Sequence, residues 1–337
     1  MLVALALVTG ATAGCGGGGA GGARAASGQE AYVCTGASIS DPGDTVVRVD
    51  TVARHADGSV TVGSLPSALA ATPDGRRLLV TAQGEDRLIV LDTTSGRVVA
   101  SLKTGLKPDA VAVSPDGQLA LVADLGDGTV VPVDLRTLRV GAPVGIGGRL
   151  VAVAVGGPGS RIALVADAAG NRVVPVHLGS GRAGPTATPA AAVAVGSEPS
   201  AIAVSPNGTT AVVTNLGDGT VTTVDLASLR ATGTVAVGVD PTGVAFAPAW
   251  ASGGVTALVS GGDELVPVTL AGLVVGTPVV VGTPAEAVAV APDGSAAWVA
   301  GYDGVVVPID LATDQPGRPV AVGGHPSAIA IPPAIGS

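Results

Sequence analysis

Residues 198–240 read EPSAIAVSPNGTTAVVTNLGDGTVTTVDLASLRATGTVAVGVD, and the chain repeats this pattern until it ends. Four short runs rich in Val, Thr and Ala, at 200–204, 210–214, 220–225 and 233–237, are separated by turn signals. The clearest are Pro206-Asn207-Gly208 and Gly217-Asp218-Gly219. Proline presets φ at the first turn position and glycine accepts φ > 0, so each triplet reverses the chain between two strands. The unit is a four-stranded antiparallel meander with apolar residues on both faces. One such sheet cannot bury both faces by itself, so it must stack against others of its kind.

Copies align on the residue preceding the first strand: Pro66, Pro108, Leu150, Pro199, Pro241, Pro284 and Pro326, spaced by 42, 42, 49, 42, 43 and 42 residues. A period near 42 with four strands per unit is that of a β-propeller blade, against about 34 for a helical tetratricopeptide unit. The two ends fix the blade number. Near the start, Tyr32-Val33-Cys34 stands where Leu121-Val122-Ala123 stands in a full unit, and TVVRVD at 45–50 matches TVVPVD at 129–134. This opening segment lacks a first strand. The closing segment HPSAIAIPPAIGS supplies one at 327–331 and then stops. The expectation is an all-β fold, a seven-bladed β-propeller of four-stranded antiparallel blades, closed by the N-terminal three strands plus the C-terminal strand. The propeller is expected over 31–331, with a tail at 332–337.

Upstream, 2–8 is a short apolar run suited to the hydrophobic region of a signal peptide, and it continues into Thr12-Ala13-Gly14-Cys15. Small residues before a cysteine resemble the cleavage box of bacterial lipoproteins, in which that cysteine is diacylated. Thr12 stands where leucine is usual, and no Lys or Arg precedes the apolar run. An ordinary cleaved signal and an uncleaved tail are the alternatives. Residues 16–30 form a Gly/Ala-rich linker with too little apolar area to fold, a tether that would let an anchored domain stand off a membrane. With Cys15 lipidated, Cys34 is unpaired and reads as a small buried hydrophobe. Otherwise, a bridge between the two cysteines is open in an oxidising compartment.

Composition narrows the function classes. The chain is 47% hydrophobic but 1% aromatic, so its sheets must pack through small and β-branched side chains. No segment after the leader is apolar for long enough to span a bilayer as a helix. A formal net charge of −9 argues against nucleic acid, whose phosphates need clustered Lys and Arg, and scarce aromatics remove stacking platforms. The chain has no Gly-x-Ser-x-Gly, no phosphate loop and no Cys/His zinc spacing.

Val212-Val213-Thr214-Asn215, preceded by Ser205-Pro206-Asn207-Gly208 and followed by Val224-Asp225, resembles the YVTN-type β-propeller repeat of bacterial and archaeal surface and secreted proteins. The frame recurs as Ser114-Pro115-Asp116-Gly117 with Val133-Asp134, and as Ala291-Pro292-Asp293-Gly294 with Ile309-Asp310. It departs most at GGPGS (156–160) and APAWASGG (247–254). The resemblance implies architecture, and its motif carries no catalytic residue.

In a propeller the turns joining strands two to three share one face with the connections between blades. Fifteen of the 26 acidic residues map there, among them Asp124, Asp127, Asp218, Asp263, Glu264 and Asp303, with only Arg87, Lys107, Arg149 and Arg172 nearby. The opposite face is nearly neutral, so charge should be asymmetric along the ring axis. Asp-Gly is favoured turn chemistry, which accounts for many of these carboxylates. The six named residues are also candidates for a divalent cation or a basic partner, since carboxylates supply hard oxygen ligands. No other cofactor is expected. The competing class is a propeller hydrolase, lactonase or lyase. Only His55, His177 and His325 are present to serve it, and only His325 falls near the channel mouth without a second histidine to support it as a general base. The sequence therefore reads as an exported, monomeric binding or scaffold module of the bacterial cell envelope, recognising a protein or small molecule through its acidic loop face or its central channel and touching the membrane only through its N-terminal anchor.

Overall fold

The Pro-Asp-Gly and Pro-Asn-Gly triplets reverse the chain as the sequence dictates. Gly75, Gly117, Gly208 and Gly294 sit at φ between 68° and 71°, and each donates its N–H to the carbonyl three residues back, Thr72, Ser114, Ser205 and Ala291. The computed structural model describes residues 30–36, 43–156, 161–181, 184–247 and 255–335. The expected leader, Cys15, most of the linker, Asp41 and the two irregular loops near 157–160 and 248–254 lie outside the described residues.

Seven antiparallel sheets result, with innermost strands Pro66–Ala71, Pro108–Val113, Leu150–Gly156, Pro199–Val204, Pro241–Ala247, Ala285–Val290 and Pro326–Ala330. We number the blades 1 to 7 in that order. Each innermost strand packs on the next, and Pro326–Ala330 packs on both Ala285–Val290 and Pro66–Ala71, which closes the ring. Blade 7 is the expected composite: the C-terminal strand pairs with Glu30–Thr35, followed outward by Thr45–Asp50 and His55–Thr61. Strand order begins at Glu30, where the expected linker ends.

Burial falls from axis to rim. First and second strands are buried along nearly their whole length, as in Pro108–Val113 and Leu119–Asp124, because neighbouring blades cover both faces. Outer strands such as Arg230–Ala236 are largely exposed. Near the axis the sheets converge, and the first strands answer by alternating alanine with a larger residue: Ala68-Leu69-Ala70, Ala201-Ile202-Ala203 and Ala328-Ile329-Ala330 are all buried. This taper explains how a core almost without aromatics fills its space. Cys34 is fully buried on its strand, with its thiol pushed upward by burial, and behaves as a small hydrophobe.

The outer strands follow a rule written in the third strands. Where the fourth residue of the third strand is proline, at Pro132, Pro175, Pro267 and Pro308, the outermost strand is broken into two pieces. Where it is Arg48, Val90 or Thr223, the outermost strand runs through, with only a register shift. Proline has no N–H to offer across the ladder, so pairing lapses there and only its carbonyl is used, accepting from Gly141, Ala190, Gly276 and Gly317. Glycine is required at position 141, where a Cβ would lie 2.5 Å from the Pro185 carbonyl oxygen and 2.9 Å from the Pro132 ring. The interrupted rims deny other chains a long edge to pair with.

Every innermost strand is bulged at its second residue, which turns that side chain toward the next blade. Four of these side chains carry a hydroxyl that donates to the first carbonyl of the next innermost strand. Ser67 reaches Pro108 at 3.1 Å, Ser200 reaches Pro241 at 2.7 Å, Thr242 reaches Ala285 at 2.7 Å, and Ser327 reaches Pro66 at 3.2 Å. Each is a hydrogen bond across a blade seam. The ladder also corrects the repeat alignment: Ala285, pairing with Gly301, occupies the place of Pro199, so the anchor in blade 6 is one residue later than Pro284. Glu286 is thereby the equivalent of Ser200.

Candidate binding face

Turns between second and third strands share one face with the blade-to-blade connections, as the sequence reading required. Lys103, whose strand end pairs with Arg87, joins the four basic residues expected on that face.

Many of the carboxylates there are occupied with holding the fold. Asp86 accepts from the Lys107 N–H at 2.8 Å, Asp127 from Leu106 at 3.2 Å and Asp218 from Ser197 at 2.9 Å, each tying a turn to a connection between blades. Asp303 accepts from the Thr283 hydroxyl. Asp167 is buried and accepts from the Arg149 N–H and from Arg172, whose guanidinium pairs with it at 2.9 Å. Asp109 and Asp124 are also buried, and one oxygen of each lacks a partner. Burial pushes both carboxyls up to about 7; Asp127 adds to the rise at Asp124, while Gln83 and then Arg149 oppose it at Asp109.

On the other face the aspartates ending the third strands cap the following turn. Asp92 accepts from the Ser95 N–H at 2.7 Å, Asp225 from Ser228 at 2.7 Å and Asp310 from Ala312 at 2.9 Å. These hydrogen bonds favour the ionised form and hold all three carboxyls below the usual range.

The remaining carboxylates are distributed unevenly. The carboxylates of Glu198, Asp240, Asp263 and Glu264 make no hydrogen bond or ion pair among the described residues, and all four stand on blades 4 and 5 or their connections, against one such carboxylate on blade 7, Asp44, and one on blade 6, Glu286. Asp218, Asp240, Asp263 and Glu264 line an open groove of about 700 Å³ between those blades, floored by Leu216, Val239 and glycines and lined by no basic residue. The structure thus brings three of the six candidates together. Asp124 and Asp127 stand apart on blade 2 and Asp303 on blade 6. Among the described residues no three His, Cys, Asp or Glu side chains converge so as to hold a metal ion.

The imbalance is in the sequence once the chain is divided. Residues 1–182 contain 15 acidic and 15 basic residues, whereas 183–337 contain 11 acidic and 2 basic, Arg230 and Arg318. The whole net charge of −9 therefore falls on the second half of the chain. Charge is asymmetric across the ring as well as along its axis, a feature that a count by loop type conceals.

The three histidines stand on separate elements or connections. His55 begins the outermost strand of blade 7 and His177 is exposed. His325 stacks on Tyr302, ring centroids 4.5 Å apart, with Nδ1 2.9 Å from the Tyr302 carbonyl oxygen. None of the three hydrogen-bonds a Ser, Cys, Asp or Glu side chain among the described residues.

Known structures share the architecture. The chain is a seven-bladed β-propeller. It superposes on a functionally unknown protein from Desulfotomaculum acetoxidans DSM 771 with a TM-score of 0.78 at 16% identity, covering 90% of this chain and 98% of that one. A Kuenenia stuttgartiensis hydrazine synthase chain gives 0.67 at 17% identity over 78% of this chain and 88% of its own length. The dihydro-heme d1 dehydrogenase NirN gives 0.67 at 17%, covering 89% of this chain and 65% of the NirN chain. At these identities the likeness is one of fold. No family model matches the chain, and no curated protein matches it.

Proposed function

We propose that this propeller is a binding module which recognises a cationic protein or peptide segment through the loop face of blades 4 and 5. The observation that carries the reading is the set of carboxylates left over once the fold's own needs are met: Asp240, Asp263 and Glu264, which with Asp218 line a groove that holds no basic residue, and Glu198 on the connection into blade 4. Carboxylates unpaired within the protein keep their full charge for a partner, and lining one sign of charge along a groove raises both attraction and encounter rate. Glycines at 217, 219, 238 and 262 keep the walls low and open. A Lys- or Arg-rich peptide titrated calorimetrically should bind saturably, lose affinity as salt is raised, and lose it by about tenfold or more in D240N/D263N/E264Q. Binding unchanged in that variant would overturn the reading.

The same proposal places the module outside the cytoplasmic membrane, tethered through Cys15 and the Gly/Ala-rich linker. The support is the run of small residues ending at Cys15 after an apolar stretch. A Cys15→Ser variant expressed in its bacterial host should leave the membrane fraction, while the wild type is extracted only by detergent. An identical distribution of the two would remove the anchor from the account.

A further inference from the structure

The seam hydroxyls are absent from three blades. At the second position of the innermost strand, blades 1, 4, 5 and 7 carry Ser67, Ser200, Thr242 and Ser327, all bonded across the seam. Blade 3 has Val151, which cannot bond, and blades 2 and 6 have Asp109 and Glu286. A carboxyl group at a hydroxyl's station can perform the hydroxyl's task only when it carries a proton, since an ionised carboxylate has no hydrogen to donate. Asp109 is 1% exposed. Its Oδ1 accepts from the Gln83 amide of blade 1, and its Oδ2 has no partner. That is the division of labour in a neutral carboxylic acid, with one oxygen accepting and the other an O–H seeking an acceptor. By the geometry of the other four seams, the acceptor is the first carbonyl of the next innermost strand, that of Leu150.

We propose that Asp109 is a proton-operated latch between blades 2 and 3, closed when its Oδ2 carries a proton and donates across the seam, and loosened when that proton leaves. The charged groups on the elements packed against it are Arg149 at the head of blade 3, Asp124 at the end of its own blade's second strand, and Glu85 and Asp86 in the turn that carries Gln83. Arg149 favours the open, ionised form. Burial favours the closed one. Glu286, half-buried with its carboxyl also pushed up by burial, holds the same station in blade 6 toward Pro326 and is a second instance of the substitution.

The sign of the effect is fixed. A carboxyl that keeps its proton to higher pH in the folded than in the unfolded chain binds more protons when folded. Stability therefore falls as pH rises between the ordinary carboxylate range and about 7. One such group changes the unfolding equilibrium by up to about tenfold per pH unit across that window. Asp109→Ser restores the hydroxyl used by the other blades. Chemical denaturation at pH 5, 6, 7 and 8 should show the wild type weakening with pH and D109S losing a one-proton share of that slope, with stability at pH 8 at or above wild type. An unchanged slope in D109S would overturn the latch. Should D109S fail to fold, infrared difference spectra of the wild type against D109N decide the matter. A protonated carboxyl band absent from D109N and lost above about pH 7 supports the proposal, and an Asp109 ionised already at pH 5 refutes it.

Discussion

Ending the chain at His325 should abolish cooperative folding of the whole ring, although it removes only twelve residues. The strand Pro326–Ala330 fills the innermost place of blade 7, where it pairs with Tyr32, Val33, Cys34 and Thr35 and packs on the first strands of blades 6 and 1. Ala328, Ile329 and Ala330 are at most 1% exposed. Truncating one such isoleucine to alanine costs about 2–5 kcal/mol, and a whole domain is stable by only about 5–15 kcal/mol. Losing Ile329 and Ile331 together with five residues of ladder therefore exhausts the stability of a ring with no slack. The truncated chain would also present the buried strand Glu30–Thr35 as an open edge, which invites aggregation. Scanning calorimetry and size exclusion should show loss of the single transition and soluble aggregates, and a synthetic peptide of residues 325–337 should restore the transition in part. A truncated chain that unfolds at the wild-type temperature would mean that the ring is not closed by this strand.

Trp298→Ala is expected to be the most damaging single core substitution, at about 3–5 kcal/mol. Its indole is 2% exposed, stands opposite Ala289 on one side and Pro308 on the other, and packs in the cluster that joins blades 6, 7 and 1 with Ala31, Val33, Val49 and Ile331. At the equivalent position blades 1 to 5 hold smaller aliphatic side chains, Leu79, Leu121, Leu164, Val212 and Leu258, and blade 7 holds Tyr32. The bulk of the indole is thus used where the composite blade must be gripped by its neighbour. Denaturant titration should show a lower midpoint at an unchanged slope, while Val212→Ala, the same strand position on blade 4, should cost less than half as much. Equal losses at the two positions would deny the closing seam its special dependence on Trp298.

Most of the architecture was legible because two local codes agree. The Pro-Asn-Gly turns set where the chain reverses, and the run of Val and Ala between them sets what must be covered. The errors are instructive for the same reason. In PAEAVAV the proline lies one residue before the ladder begins, so alignment by residue type chose Pro284 where pairing chooses Ala285. On the acidic face, a count of carboxylates treated Asp127 and Asp263 alike. One is bonded to the Leu106 N–H and the other stands free, a distinction that exists only after the connections between blades have been placed. The division of charge between the two halves of the chain needed no structure.

The central claim is that a cationic partner lands on the acidic half of the loop face, and carbodiimide cross-linking of a lysine-rich peptide followed by mass spectrometry tests it directly. The account predicts peptide attached at Glu198, Asp240, Asp263 and Glu264 and little at Asp74, Asp116 or Asp293 on the opposite face. Attachment concentrated on the opposite face, or spread evenly over both, would contradict it.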